Sequence, residues 1–205
     1  MTDTGANDAQ GHLRAEARAH KRERILETAT RLFYEHGYRA TSMESIADEL
    51  SATKPFIYYH FKNKYDILEE IALRVLRMAI DSLVRAEVAG GEPADIVANM
   101  VRNYGQLVTE QQRIIAVFWR EESNFHEATR RKVLAEQHKF LDTLSRVIQA
   151  GVDKGAFAVE NLELTTLAIM NLVTFTYTWF RPDGALHPST LSEHNVQLVL
   201  RMLRP

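Results

Sequence analysis

The sequence contains no cysteine, which excludes a disulfide framework, a thiolate metal site and a cysteine nucleophile, and is compatible with a cytoplasmic protein. It also lacks a strong charge of either sign. Over 205 residues the formal net charge is -2, so the whole chain is no generic polycation, and any nucleic-acid binding must come from local patches. The N-terminal MTDTGANDAQGHL has no apolar run behind positive charge, so no signal peptide is expected. The longest apolar stretch, Leu164 to Phe180, is interrupted by Thr165, Thr166, Asn171, Thr174, Thr176 and Thr178. A buried helix suits it better than a bilayer crossing, and no membrane partner is expected. Strand alternation of any length is missing. So are G-x-S-x-G, H-E-x-x-H, a Gly-rich phosphate loop and carboxylates clustered at a strand end, which leaves no case for an enzyme and calls for no cofactor. His126 and His138 with Glu121 and Glu122 read as surface charge and ordinary packing, so no metal site is expected.

Helical signals fill the chain instead. Thr41 and Glu44 make a T-x-x-E capping box before the apolar set Met43, Ile46, Ala47 and Leu50, which predicts a helix over about 43 to 50. Thr53 can cap a second helix over about 54 to 60, with Pro55 tolerated in its first turn. Residues 51 to 53 are too few for a long antiparallel hairpin, so the two helices pack at a steep angle as a helix-turn-helix. The second crowds Phe56, Tyr58, Tyr59, His60 and Phe61 between Lys54, Lys62 and Lys64. Only some of those rings can face inward. Lysines neutralise phosphate, and Tyr and His bring hydrogen-bonding tips on flat bodies that rest against sugar and thymine methyl groups.

The run Gly37-Tyr38-Arg39-Ala40-Thr41-Ser42, then Ile46-Ala47, then Ile57 to Lys64 with Leu68 behind it, resembles the DNA-binding domain of the tetracycline-repressor (TetR) family over about 45 residues. The resemblance implies that Ser42 and Tyr58 touch phosphate, that Met43 lies near a base edge, and that Lys54, Pro55, Phe56, Tyr59 and His60 form the groove-facing surface, with Thr53 at its edge. It implies that Lys64 anchors the backbone at the start of the next helix, and that Ile46, Ala47, Ile57 and Phe61 are core. Two positions depart from the family pattern. Ser51 stands where Gly is usual and a left-handed backbone is often needed. Phe56 stands where a small residue or Thr is usual, so this helix reads its own operator, with a contact such as a thymine methyl.

Residues 1 to 12 are polar and read as a disordered tail. Residues 13 to 66 form a three-helix DNA-binding domain, and residues 67 to 205 a helical bundle for ligand binding and dimerisation: an all-α, two-domain chain. Within 14 to 24, five basic residues stand against Glu16 and Glu23, either a solvated helix extension or an electrostatic arm that follows neighbouring phosphates or the minor groove. A helix over about 64 to 88 carries the stripe Leu68, Ile71, Ala72, Val75, Leu76, Ala79 and Leu83 and stops at Gly90-Gly91; another opens at Pro93. After a broken region around 111 to 125, a long helix to about 154 carries Leu134, Phe140, Leu141, Leu144, Val147 and Ile148. Helices over about 161 to 180 and 189 to 203 complete the chain.

The helix 161 to 180 is apolar nearly all round, which implies burial on most sides. In the family the last two helices pair with their copies in a second subunit, which implies a homodimer with Leu191, Leu198 and Met202 toward the partner. A two-fold dimer suits a palindromic double-stranded operator with half-sites about 34 Å apart. Glu163, Asn171, Thr174, Thr178 and Arg181 line up beside Phe175, Tyr177 and Trp179, and a few polar groups in an aromatic setting suit a small-molecule pocket. Tyr104, Phe118, Trp119, Phe125, His138 and Leu141 supply its facing walls. The same residues also suit plain core packing. Trp179 to Leu186 resembles a W-[FY]-R-P-x-G-x-L turn of family members that respond to acyl-coenzyme A thioesters; fatty acids, aromatic acids and lipophilic drugs compete as effectors. The expected function is a ligand-responsive repressor that leaves DNA when a small apolar or acyl-thioester effector enters. A second reading, a helical bundle whose first three helices bind another protein, differs in its salt dependence, because phosphate neutralisation weakens steeply with salt and an apolar protein interface does not.

Overall fold

The computed structural model describes residues 4–204. Every regular element among them is helical: α1 Thr4–His36, α2 Met43–Glu49, α3 Lys54–His60, α4 Lys64–Ala89, α5 Pro93–Glu110, α6 Gln112–Glu121, a short 3-10 turn Glu122–Asn124, α7 Glu127–Asp153, α8 Leu162–Thr174, α9 Thr176–Trp179 and α10 Pro188–Met202. The chain divides into two compact units, Met1–Ile71 and Ala72–Pro205, so the boundary falls inside α4, a few residues beyond the one read from sequence. Among the described residues no helix is long and apolar enough to cross a membrane.

In the first unit α1, α2, α3 and the start of α4 enclose Ile25, Ala29, Phe33, Ile46, Ala47, Ile57, Phe61 and Leu68, all buried. Gly37 ends α1 at φ 85°, a backbone conformation that favours glycine, and its N–H donates to the Phe33 carbonyl at 2.9 Å. The tail expected over residues 1 to 12 is corrected where it can be compared. α1 is already helical from Thr4: no proline precedes Pro55, and Gly5 and Gly11 cost only about 1 kcal/mol each in a helix. Residues 1 to 3 lie outside the described residues. The capping box is also shifted by one residue. Ser42 is the N-cap of α2, its hydroxyl accepting from the Ser45 N–H at 3.0 Å while the Ser45 hydroxyl accepts from the Ser42 N–H at 2.9 Å. Thr41 is buried instead, donating to the Gly37 carbonyl at 2.9 Å.

In the second unit α5 lies against α7, α8 and α10, and its buried face (Val97, Met100, Val101, Tyr104, Val108) follows the helical period. α7 buries Val133 where the sequence stripe has Leu134, which is 48% exposed; the remaining stripe residues face inward or are half-buried. The expected helix 161 to 180 is two helices. The hydroxyls of Thr174, Thr176 and Thr178 bond back to the carbonyls of Met170, Leu172 and Phe175, a habit that bends helices. The Gln112 side-chain amide also donates to the carbonyls of Tyr177 and Phe180 at 2.7 and 2.8 Å, satisfying the end of α9 from outside. Burial of α8 on most sides does not hold within the chain either: Thr166, Ile169, Val173 and Thr174 face inward, while Leu164, Ala168, Asn171 and Phe175 form an exposed stripe.

Candidate functional site

α2 and α3 are joined through Ser51, which takes φ 51°, the left-handed conformation its position requires. That turn directs one face of α3 outward. Tyr59 is 68% exposed and Tyr58 44%, Thr53, Lys54 and Pro55 are exposed, and Phe56 is half-buried. The opposite face, Ile57, is fully buried. Thr53 is the N-cap of α3 by backbone geometry but makes no side-chain cap bond. The exposed face therefore carries a lysine, two phenols and an apolar ring together, the mixture expected at a DNA groove.

Three residues of the expected DNA-binding set, Met43, His60 and Lys64, do not stand on that exposed face. Met43 is buried, because the capping geometry turns it onto the same side of α2 as Ile46 and Ala47. His60 is buried at the end of α3, its ring edge-on to those of Phe56 and Tyr59 at centroid distances of 5.1 Å. Lys64 directs its ammonium at the Tyr38 and Thr41 carbonyls, 2.6 Å each, over the Tyr38 ring. It clamps the α1–α2 connection rather than reaching outward. Glu44, which has the spacing of a capping residue, instead exposes its carboxylate and pairs with Lys54 across the helix-turn-helix. The pair holds the Glu44 carboxyl below its ordinary range and the Lys54 ammonium above its own. No sequence spacing marks such a pair, since it depends on the crossing angle of the two helices.

Arg22 locks α1 to both α3 and α4. Its guanidinium forms a two-pronged pair with Glu70, donates to the His60 carbonyl at 2.6 Å and lies 3.9 Å from the Phe61 ring centre. Bidentate pairing fixes direction as well as distance, so the end of α3 is tied to the start of α4.

The second unit encloses a cavity of about 220 Å³. Of the residues expected there, Tyr104, Phe118, Trp119, His138, Leu141 and Thr174 line it. The others, among them Phe125, Asn171, Phe175 and Thr178, do not. Phe125 is buried behind Phe118, at a ring distance of 5.9 Å, while Asn171, Phe175 and Thr178 lie on exposed faces of α8 and α9. They fail because the helix turns at Phe175 and its phase is set by Ile169 and Val173, not by the polar row. Sequence reasoning missed the wall supplied by α4, namely Val75, Leu76, Met78 and Ala79. Their regular apolar spacing reads equally well as core. Inside, the Tyr104 hydroxyl and Thr174 Oγ1 are 2.8 Å apart, and burial pushes the Tyr104 phenol up to about 12. Of the lining residues, Trp119, Gln137 and the exposed His138 carry the other hydrogen-bonding side chains, and no Lys, Arg, Asp or Glu lines the cavity. The turn at Trp179 to Leu186 is held by the Gly184 N–H on the Arg181 carbonyl at 2.9 Å and contributes no side chain to the lining.

Residues 25–71 match the model for bacterial regulatory proteins of the tetR family, and residues 90–203 match that for the tetracyclin repressor-like C-terminal domain. The chain belongs to the tetR family. This regulator is 27% identical to the HTH-type transcriptional repressor KstR2 of Rhodococcus jostii (strain RHA1), an alignment covering 98% of this chain and 96% of that one. It superposes on the TetR family regulator PfmR of Thermus thermophilus with a TM-score of 0.81 at 26% identity, covering 88% and 99% of the two chains. AibR, solved in complex with isovaleryl coenzyme A and operator DNA, gives a TM-score of 0.77 at 26% identity over 87% and 97%. This tetR-family protein is thus an all-α transcriptional regulator with an N-terminal helix-turn-helix.

Proposed function

We propose that the regulator represses transcription as a homodimer on a palindromic operator and is released when a small apolar group fills the cavity of its second unit. The observation that carries this reading is the continuity of α4. Its first two turns hold the DNA-binding unit through Lys64 and Glu70, and Val75, Leu76, Met78 and Ala79 of the same helix line the cavity. An effector that favours one position of α4 changes how residues 38 to 41 and the end of α3 are held, and its effect is bounded by its differential affinity for the two positions.

The base-reading face is Lys54, Pro55, Phe56 and Tyr59, with Tyr58 and Ser42 on phosphate. The lining limits the effector. No lysine or arginine lines the cavity to neutralise a carboxylate or a diphosphate, and its volume lies below the roughly 300 Å³ at which ligand pockets usually begin. A short acyl chain or a single ring fits such a void, with any charged head left outside, beyond Gln137 and His138. The AibR complex with isovaleryl coenzyme A supports the acyl-thioester class. For the dimer, the exposed stripe of Leu164, Ala168 and Asn171 on α8 and Phe175 just past its end, with Leu198 and Met202 on α10, supplies the apolar face. Leu191 leaves that set, being buried within its own subunit.

The test is Ala79→Leu, which fills the void from the α4 wall. Operator affinity stays near that of the unaltered chain, while release by acyl-coenzyme A thioesters and free fatty acids of graded chain length is lost. Normal release of the variant by the same effectors rules the cavity out as the effector site.

A further inference from the structure

α1 reaches well upstream of Ile25, where the match to the family's DNA-binding model begins. That upstream part is not a solvated spur. Ala15, Ala17, Arg18 and Lys21 form one side of an open notch whose other side is Phe56, Tyr59 and His60 of α3. The Arg18 guanidinium lies 5.5 Å from the Tyr59 ring centre. A second depression continues from it, lined by Lys21 and Arg24 of α1, by Phe56, and by Leu50 to Ala52 of the turn. Lys21 and Phe56 belong to both. Three cations spaced three residues apart therefore flank α3 from the turn before it to its last residue, and no carboxylate lines either depression.

The notch also holds a buried group without a partner. His60 is 8% exposed, and its Nδ1 is a buried nitrogen with no hydrogen-bond partner among the described residues. Buried polar atoms are nearly always satisfied.

We infer that Arg18, Lys21 and Arg24 form a phosphate track: the DNA strand beside the half-site runs between α1 and α3, with a backbone phosphate seated in the notch against Arg18 and Lys21. This rests on the reading of α3 as the recognition helix. Tyr59 links the two, since its ring borders the notch and its tip stands on the groove face. Ala15 and Ala17 matter for what they leave open, because longer side chains there would fill the space a phosphate needs. Backbone contacts of this kind position the protein and carry no sequence information. They lengthen the stretch of duplex that the regulator covers.

The experiment uses the full chain and duplexes selected by it from a random library, each prepared at the length of the selected palindrome and again with about half a helical turn added at both ends. The probes are the unaltered chain, Arg18→Gln with Lys21→Gln, and Tyr58→Phe. On the longer duplex the double variant binds roughly tenfold more weakly, and its slope of log affinity against log salt is shallower by about two. On the trimmed duplex the gap narrows. Two results overturn the proposal: equal affinity of the double variant and the unaltered chain on the longer duplex, or an equal loss on both lengths with an unchanged salt slope, which would mean that the cations act by holding α3. Failure of the underlying reading shows separately, because Tyr58→Phe would then bind both duplexes as the unaltered chain does.

Discussion

Burial holds the His60 imidazole below its ordinary 6.5, and the neighbouring charges of Arg18, Arg22 and Lys21 push it the same way. The unfolded chain therefore binds the proton first as pH falls. The stability that neutral His60 contributes is complete above about pH 6.5 and is lost as pH drops toward the lower folded value. Thermal unfolding followed between about pH 7.5 and 5.5 should show the midpoint falling, and His60→Gln, which cannot titrate, should fall less over the same interval. Identical falls would assign the pH dependence to other groups. His60 also shows where residue-level reading fails. Lys54, Tyr58 and Tyr59 stand outward as their chemistry suggests, but a histidine in a run of aromatics has no polarity signal that separates a groove contact from an α1–α3 packing contact. Met43 fails for a related reason: the shift of the cap from Thr41 to Ser42 leaves it as the first residue of α2, on the buried side.

At the scale of elements, caps, glycines and prolines place most helix ends within a residue or two, because those signals are local. α3 runs from Lys54 to His60, and α4 from Lys64 to Ala89, close to the spans expected. The break between α8 and α9 is illegible in the sequence because half of its cause is the Gln112 amide, which bonds carbonyls 65 and 68 residues away. The helix-turn-helix turn gives the sharpest prediction at this scale. Ser51 holds a left-handed backbone that costs an L-residue about 1–2 kcal/mol, while glycine adopts it freely. Ser51→Gly should stabilise the DNA-binding unit by about 1 kcal/mol, after the extra unfolded-state entropy of glycine is subtracted. Denaturant unfolding measures it, and a lower midpoint for the variant would show that the serine side chain holds the turn by some contact stronger than the strain.

For the whole molecule, the all-α plan and the two units are legible from periodicity, while the residues facing a partner or an effector are not. Periodicity says that a face is apolar and is silent on what covers it. Asn171, Phe175 and Thr178 suit a pocket by composition and lie on the exposed side of α8 and α9. Asn171 and Phe175 fall instead on the face proposed for the dimer. A carboxylate at Phe175 or Leu198 would have to be buried unpaired between subunits, at a cost of several kcal/mol. Phe175→Glu and Leu198→Glu should therefore sediment as monomers at concentrations where the unaltered chain is a dimer. Because a dimer's stability depends on protomer concentration, the unaltered chain should also melt higher when concentrated, and the variants should not. Dimeric sedimentation of both variants would move the interface elsewhere.

As the proposed effector site, the cavity beside α4 would sense in a particular way. With no ion pair available in its lining, an occupant is recognised by the volume it fills, and each methylene buried adds about 0.8 kcal/mol, or roughly fourfold in affinity. That gain stops when about 220 Å³ is occupied, after which a further carbon must force packed side chains apart, at about 1–3 kcal/mol. Response plotted against chain length is then a peak with a gradual rise and an abrupt fall. The cell would read from this regulator how long an acyl group is, with little regard to the charge it carries at its other end.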